Sequence, residues 1–461
     1  MNAASAGPIP TAQAYATHLL QTLGVPVPQS IAVAVADEHP ALSWARSGLM
    51  ALTGRTEAAP LMCPLPLAAC ADGALAALAC LSSVQAFEGL KGSQFLAERA
   101  AIAGHRRAGA ISPGGSCRLL QTRDGFVALN LARDDDWALL PAWLERETAA
   151  VHAQDWAVLQ TLLRDYTMHD LVERGRLLGL AVCPRVPLPT PAVPWQREML
   201  RGSSQRPRTR RTPRVLDLSS LWAGPLCSHL LQRLGADVVK VEGAQRPDGA
   251  RRGPAAFFDL LNAGKRSVAL DFSSVHGRAR LRALIAQADI VIEASRPRAL
   301  RQLGFEAERI VRDQPGLIWL GISGYGRGEP QENWLAYGDD AGVAAGLSYA
   351  MQQAAGENVF VGDAIADPLT GLHAALAAWA RWQSGAGGLV SLALCDVVRH
   401  CAQFQRPPNL EALRQRQRQW SEVVREAGVA ACLPQARVAS AAAPALGTDT
   451  DAVLSQWNVQ C

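Results

Sequence analysis

Two aspartates, Asp363 and Asp367, stand four residues apart in Val361-Gly-Asp-Ala-Ile-Ala-Asp367-Pro-Leu-Thr-Gly371-Leu-His-Ala-Ala-Leu376. A carboxylate acts as a covalent nucleophile when it is ionised and shielded from bulk water. The positive end of a helix favours that charge and any oxyanion or thiolate formed beside it. The strand-like Asn358-Val-Phe-Val361 runs into a loop, and the loop closes on an Asp-Pro pair opening a long alanine-rich apolar helix. Asp at the N-cap and Pro at the first helical position are ordinary helix-start chemistry. Asp367 therefore reads either as a cap or as a reactive carboxylate.

The elements that would position it alternate in type. Val215-Leu-Asp-Leu is a strand, Pro225 to Leu234 a helix, Ala236-Asp-Val-Val-Lys-Val-Glu242 and Ser267-Val-Ala-Leu-Asp271 strands, and Gly277 to Ala288 a helix. Asp289-Ile-Val-Ile-Glu293 and Leu317-Ile-Trp-Leu-Gly-Ile322 follow as buried strands. This order predicts an α/β fold, a Rossmann-like parallel sheet with helices on both faces. Ligands in such sheets sit beyond the carboxyl ends of the strands. No GxGxxG opens any unit and Gly385-Ala-Gly-Gly388 reads as a turn, so a nicotinamide or flavin cofactor is poorly supported.

Upstream, Ala12 to Leu23 is an amphipathic helix, and Arg118-Leu-Leu-Gln-Thr and Phe126-Val-Ala-Leu-Asn flank Asp124-Gly125 as a hairpin. Helices at Trp137 to Glu147, Asp155 to Arg164 and Met168 to Leu178, then a strand at Ala181 to Pro187, complete a smaller α+β domain. Arg206-Pro-Arg-Thr-Arg-Arg-Thr-Pro-Arg214 could touch phosphate, but its Pro content and its place between two folded patterns read as a solvated linker. From Arg406 to Arg425 an Arg/Gln-rich helix appears, and a short capped helix ends the chain near Leu454. The expected division is 1–110, a partial copy of the large domain; 111–187, the small domain; 188–213, the linker; 214–405, the large domain; and 406–461, a C-terminal helical segment.

Composition narrows the class. At 461 residues and 49% hydrophobic, the chain can bury a large core. A charge of +4 from 45 basic and 41 acidic residues is too even to imply nucleic acid. The ten cysteines include no CxxC and no Cys/His cluster at zinc spacing, so no metal is expected and reduced thiols in a cytoplasm fit best. The first ten residues do not read as a signal peptide, and the most apolar helix, near Gly73 to Val84, is too short for a bilayer. A soluble protein with no membrane partner is expected.

Sliding the chain by 298 residues places Gly48-Leu49 on Gly346-Leu347, Gly73 on Gly371, and Ala76-Ala-Leu-Ala79 on Ala374-Ala-Leu-Ala377. In that register Ala69 stands opposite Asp367 and Leu65 opposite Asp363. The helix start can then form without a capping carboxylate, at a cost of about 1 kcal/mol. One live site and one dead copy are expected.

Several of these stretches resemble the class III (formyl-CoA transferase-like, CaiB/BaiF) CoA-transferases. They are Val215-Leu-Asp-Leu with Ala223-Gly-Pro225, Leu234-Gly-Ala-Asp-Val-Val-Lys-Val-Glu242, Phe257-Phe-Asp-Leu-Leu-Asn-Ala-Gly-Lys-Arg-Ser-Val-Ala-Leu-Asp271, Ile322-Ser-Gly-Tyr-Gly326 and Asp367-Pro-Leu-Thr-Gly-Leu. The N-terminal part resembles the family's later portion, so the resemblance implies a rearranged tandem with one catalytic half. It also implies that Asp367 is the catalytic aspartate, that acyl-CoA and a carboxylic acid acceptor are the substrates, and that no cofactor is permanently bound. The implied route runs through an aspartyl anhydride and an aspartyl-CoA thioester.

The implied CoA positions are Trp222 and Ala223; Leu270, Asp271, Phe272 and Ser273; Ala294, Ser295 and Arg296; Gln302; and Leu335 to Gly338, including Tyr337. Ala294-Ser295 departs from the family's Asn-Phe, Gln302 from a common Arg, and Gly243 from Arg. Arg296, Arg298 and Arg301 read either as replacement phosphate charge or as a solvated basic loop, and Lys265-Arg266 as phosphate-facing or structural. Ala336-Tyr337-Gly338 stands where the racemase branch keeps Gly-His-Asp, so the second acid/base is absent unless Tyr337 serves; His373 reads as a helix histidine, and transfer is favoured over racemisation or epimerisation. A catalytically silent acyl-CoA-binding protein is the other alternative. The family's interlocked homodimer, or an intrachain pseudo-dimer in its place, follows from the same likeness.

Overall fold

Apolar residues at consecutive positions in Val215-Leu216, Val238-Val239 and Ile290-Val291-Ile292 leave no face of the sheet for water, so helices must cover both. The computed structural model describes residues 9–28, 38–82, 84–147, 154–202 and 212–459. The N-terminal octapeptide and the Arg cluster of 206–211, on which expectations above rest, lie outside them.

In chain order, β1 (Cys117–Gln121), β2 (Phe126–Asn130) and β3 (Ala181–Pro184) make a small antiparallel sheet. Then β4 (Arg197–Arg201), β5 (Arg214–Leu218), β6 (Asp237–Gly243), β7 (Arg266–Leu270), β8 (Ile290–Glu293), β9 (Ile318–Ser323) and β10 (Gly388–Ala393) make a seven-stranded sheet. Its order is β4-β10-β9-β8-β5-β6-β7, parallel throughout except for the edge strand β4. The parallel strands thus run outward both ways from β5, with the order reversing between β5 and β8. That reversal is where doubly wound sheets open a ligand crevice.

The two faces sort by alternation along each strand. Val215, Ile290, Ile292 and Leu320 face the helices Ala223–Arg233 and Ala366–Ser384, while Leu216, Val291 and Trp319 face the helix Val275–Gln287 and the C-terminal helix Thr450–Gln456. N-terminal helices Ala12–Thr22 and Leu67–Cys80 join the first of these cores. Close approach is made possible by glycine: a Cβ on Gly371 would stand 2.7 Å from the Ala223 carbonyl oxygen, and one on Gly73 2.6 Å from that of Ala12. No helix among the described residues is long and apolar enough to cross a membrane.

Four local expectations need correction. Asn358 to Val361 is not a strand; the Phe360 N–H donates instead to the Gly109 carbonyl, 3.0 Å away. Part of the expected linker is β4, whose backbone completes the exposed edge of β10. The Trp137 helix is broken into Asp134–Ala138 and Leu140–Leu144 just before Pro141, which cannot donate a helical hydrogen bond. The strand β10 was absent from the expectations because it follows directly on the glycine turn.

A buried polar network sets the carboxyl end of β5. Asp217 is wholly buried and accepts from the hydroxyls of Ser219 and Ser228, with Lys265 Nζ at 3.1 Å. Lys265 Nζ also reaches the Pro225 carbonyl (3.0 Å), Ser228 Oγ (2.7 Å) and Asn262 Oδ1 (2.9 Å). Fully occupied and buried, Lys265 is structural, and Arg266 is likewise turned to Asp237 and Gln456. Despite burial, Lys265 and Lys240 hold Asp217 down at about 2. Lys265→Met leaves Asp217 buried beside fewer compensating charges, which costs about 3–5 kcal/mol. Urea denaturation at neutral pH is expected to register that loss, with Lys265→Arg losing less.

Candidate functional site

The helix Ala366–Ser384 begins earlier than Asp-Pro suggested. Its N-cap is Ile365, which makes no side-chain capping bond, and Asp367 occupies the second helical position. The cap reading of Asp367 is thereby corrected. The cause lies in the loop, where Gly362 and Ala364 both take positive φ (70° and 44°) and turn the chain into helix two residues before Asp367. Ala364 tolerates that conformation because its N–H donates to Asp339 Oδ1 at 2.8 Å while its carbonyl accepts from the Asp367 N–H at 3.0 Å.

Released from capping, the Asp367 carboxyl points to the start of the helix Gly338–Ala344 and accepts the Gly338 N–H. A Cβ at position 338 would overlap Asp367 Oδ2 and the Ala364 carbonyl, so only glycine fits there. The side chain is surrounded by protein yet keeps an accessible edge. Burial, with Asp339 and Asp363 adding repulsion against the pull of Arg99, pushes its carboxyl up to about 7.

Around it stand three further buried aspartates. Asp363, wholly buried, takes both arms of Arg99, Nε at 2.9 Å and Nη2 at 2.5 Å, and faces His105 Nδ1 at 3.4 Å. The Arg99 charge and the hydrogen bonds from Arg99 and His105 hold it below the usual carboxylate range despite burial. Asp339 lies 3.9 Å from Arg99 Nη2 and is raised, chiefly by burial. Asp340 accepts from Asn130 Nδ2 and the Tyr337 N–H, each at 3.0 Å, and burial lifts it to about 7. Among the described residues no group of three or more His, Cys, Asp or Glu is arranged to hold a metal ion.

The expected CoA positions fall in three places. Trp222 and Ala223 follow β5 and Ala294 to Arg296 follow β8, so both line the reversal of strand order; Trp222 is buried, stacked edge-on against Phe257, with Arg99 5.6 Å from its ring centre. Tyr337 and Gly338 border Asp367, and Arg296 and Arg133 are both near enough to the Tyr337 hydroxyl to act on it electrostatically. Farther out, Leu270 is buried, while Asp271 accepts from Ser273 and Gln245 in the turn that also carries Phe272. Gln302 is exposed at the end of the helix Pro297–Gln302. Arg301 is engaged by Glu308 and Glu332. His373 is a helix histidine, its Nδ1 on the Leu369 carbonyl and its Nε2 on Tyr15.

Sequence reasoning missed Arg99, His105, Asp339 and Asp340. The last two adjoin Gly338 and could have been found from their position; Arg99 lies 264 residues from Asp363 and carries no local signal.

An acid raised to about 7 in the folded state, against roughly 3.9 unfolded, binds a proton more tightly when folded. Between those values stability falls as pH rises. Asp367→Asn is therefore expected to raise the melting temperature at pH 8, with the gain shrinking as pH falls from 7 towards 4, as read by thermal denaturation across that range.

The sequence profile of CoA-transferase family III matches residues 212–449, just over half of the chain. A formyl-CoA:oxalate CoA-transferase of Afipia carboxidovorans is 35% identical over 196 residues, 40% of this chain and 46% of that protein. A succinyl-CoA–D-citramalate CoA-transferase of Chloroflexus aurantiacus is 30% identical over 208 residues, 42% of this chain and 52% of that one. The chain spans about half the length of the curated relatives it matches. Among solved structures, Rv3272 from Mycobacterium tuberculosis aligns with a TM-score of 0.37 at 28% identity, over 42% of this chain and 55% of that one. A CAIB/BAIF family protein from Brucella suis gives 0.36 at 28% identity, over 49% and 60%.

Proposed function

Because this chain belongs to CoA-transferase family III, we propose that it moves coenzyme A from an acyl-CoA to a carboxylic acid, with Asp367 as the nucleophile. The observation that carries the reading is a carboxyl freed from helix capping, raised to about 7, and held against a backbone N–H at the mouth of a doubly wound sheet. In this scheme an Asp367 oxygen attacks the thioester carbonyl, a C–O bond forms, the C–S bond breaks, and CoA leaves as thiolate. The thiolate attacks the aspartyl carbonyl of the mixed anhydride, releasing the first acid and leaving an aspartyl-CoA thioester. The acceptor carboxylate then repeats the sequence in reverse, and Asp367 is regenerated.

A raised pKa makes the carboxylate a stronger nucleophile once ionised, and ionisation is complete only above about 7. Racemisation is less well supported, since it needs a second group poised across the substrate α-carbon. The histidine of the racemase branch is replaced by Tyr337, whose hydroxyl burial pushes above its usual range, and position 338 is a glycine with no room for a side chain. In this scheme Arg296, with Arg298 and Arg133 within electrostatic reach, would supply positive charge for the phosphate groups of the nucleotide.

The test is incubation with a panel of acyl-CoA thioesters, trapping with hydroxylamine or borohydride, and intact-mass analysis with peptide mapping. An adduct at Asp367 that forms faster as pH rises through about 7, and is lost in Asp367→Asn, is the expected result. Binding of CoA with no adduct from any thioester favours the silent acyl-CoA-binding alternative.

We also infer that the chain is a rearranged tandem, with residues 1–110 a partial copy of 214–405. Supporting this, the helices Pro40–Arg46 and Gly338–Ala344 have bounds 298 residues apart, and Gly48 and Gly346 both adopt left-handed φ (86° and 97°) before the next helix. The helix Leu67–Cys80 also packs on Ala366–Ser384, as one half of a pseudo-dimer would on the other. A monomer of 49.1 kDa is then expected by sedimentation or light scattering. A stable species of twice that mass, persisting on dilution, argues for the interlocked homodimer instead.

A further inference from the structure

We propose that Arg99, brought in by the N-terminal helix Glu98–Ala103, is a positioning residue for Asp367: it clamps Asp363, reaches Asp339, and so fixes the loop that presents Asp367 while supplying positive charge beside it. The proposal rests on Asp367 being the working carboxylate. Its geometric basis is the planar fork of the guanidinium, whose Nε and Nη2 meet the two Asp363 oxygens at 2.9 and 2.5 Å. The same Nη2 lies 3.9 Å from Asp339, whose other oxygen holds the Ala364 N–H. Asp363 and Ala364 are the turn that aims Asp367, so one side chain from the far end of the chain grips both anchors of that turn.

Arg99 is itself held. Its neighbour Glu98, wholly buried, takes a bidentate contact from Arg437, with Nε at 2.6 Å and Nη2 at 3.0 Å. Across the 298-residue register Arg99 corresponds to the buried Val397, while Asp339, Asp340, Asp363 and Asp367 correspond to Ala41, Leu42, Leu65 and Ala69. The cation thus comes from one half and the carboxyls from the other. The site is incomplete without the N-terminal part.

The charged groups acting on Asp367 are Asp363 on its own loop, Asp339 at the start of the helix Gly338–Ala344, and Arg99 from the N-terminal part; behind them His105 faces Asp363, and Asp340 with the Tyr337 N–H adjoins Asp339. Removing Arg99's charge leaves the carboxylates unopposed and drives the Asp367 midpoint up. Removing the Asp363 charge does the reverse, because a repelling neighbour is gone and Arg99 is released towards Asp367 and Asp339.

The experiment is a carbon-13 NMR titration of the full-length protein labelled at aspartate Cγ, with Asp367 identified by the signal missing in Asp367→Asn. Adduct formation from acyl-CoA is followed by intact mass over the same pH range. Arg99→Gln is expected to raise the Asp367 midpoint by about 1 unit or more, and Asp363→Asn to lower it. Arg99→Lys is expected to keep the midpoint near wild type while slowing adduct formation about tenfold or more, since it restores the charge but not the fork. Midpoints that stay put in both Arg99→Gln and Asp363→Asn, or move in the same direction, overturn the proposal. If Arg99→Gln does not fold, Arg99→Lys decides, and adduct formation as fast as in the wild type overturns the proposal. A wild-type protein that forms no adduct overturns the transferase reading, whereas unmoved midpoints overturn only the role of Arg99.

Discussion

The bidentate pair between Arg99 and Asp363 is the contact on which the arrangement of the site depends. Four aspartates converge, Asp339 and Asp340 at the start of the helix Gly338–Ala344 and Asp363 and Asp367 at that of Ala366–Ser384, and three of them are almost fully buried. Burying like charges together is unfavourable unless some neutralise or a cation enters. Both happen here: Arg99 keeps Asp363 ionised, while Asp340 and Asp367 rise to about 7. A buried ion pair of this kind is weak evidence for stability, because an apolar pair of similar volume often serves as well. In the proposed 298-residue register the apolar Leu65 and Val397 stand opposite Asp363 and Arg99, and both are buried. The charged version is therefore better explained by what it does to Asp367 than by what it adds to folding.

That pair can form only if distant segments are brought together and kept there. Thr53 Oγ1 accepts the Gly362 N–H at 3.2 Å, the Gly109 carbonyl accepts that of Phe360, and Arg99 closes on the residue after Gly362. The turn is thus gripped on three sides by the N-terminal part. The C-terminal stretch adds a second tie, since Arg437 bridges Glu98 to His229 on the Ala223–Arg233 helix, and Pro434 packs against Gly48. Disturbing either end of the chain bears on the loop without touching Asp367.

Much of this fold was legible because its signals are local. The strands β5 to β9 and the hairpin at Asp124-Gly125 are written in runs and alternations of apolar residues, and their observed ends lie within a residue or two of expectation. Asp367 was legible as a residue but not in its role at the helix start, because the turn at Gly362 to Ala364 depends on Asp339, and positive φ at an alanine has no sequence signature. Arg99 was illegible for a stronger reason. Its partner is 264 residues away, and one Arg in an Ala-rich helix looks like any solvated surface charge until the packing of these distant segments is known.

Coenzyme A transfer through an aspartyl intermediate, as proposed, sets two demands that oppose each other. The nucleophile must be ionised at working pH, which favours a low pKa, and it must be basic enough to attack a thioester, which favours a high one. Burial and the neighbouring carboxylates push Asp367 towards the second demand; the Gly338 N–H and Arg99 pull it towards the first. Neither influence alone leaves the group useful: without the cation the carboxyl is pushed further up, towards its protonated form, and without burial it is an ordinary weak nucleophile. Glycine at 338 is what lets the two be combined, because any larger residue would displace the carboxyl from the N–H while leaving the repulsion in place. The balance near 7 is thus built from one backbone donor and one imported charge, and the fold supplies both by packing the N-terminal helix Glu98–Ala103 against the turn at Gly362 to Ala364.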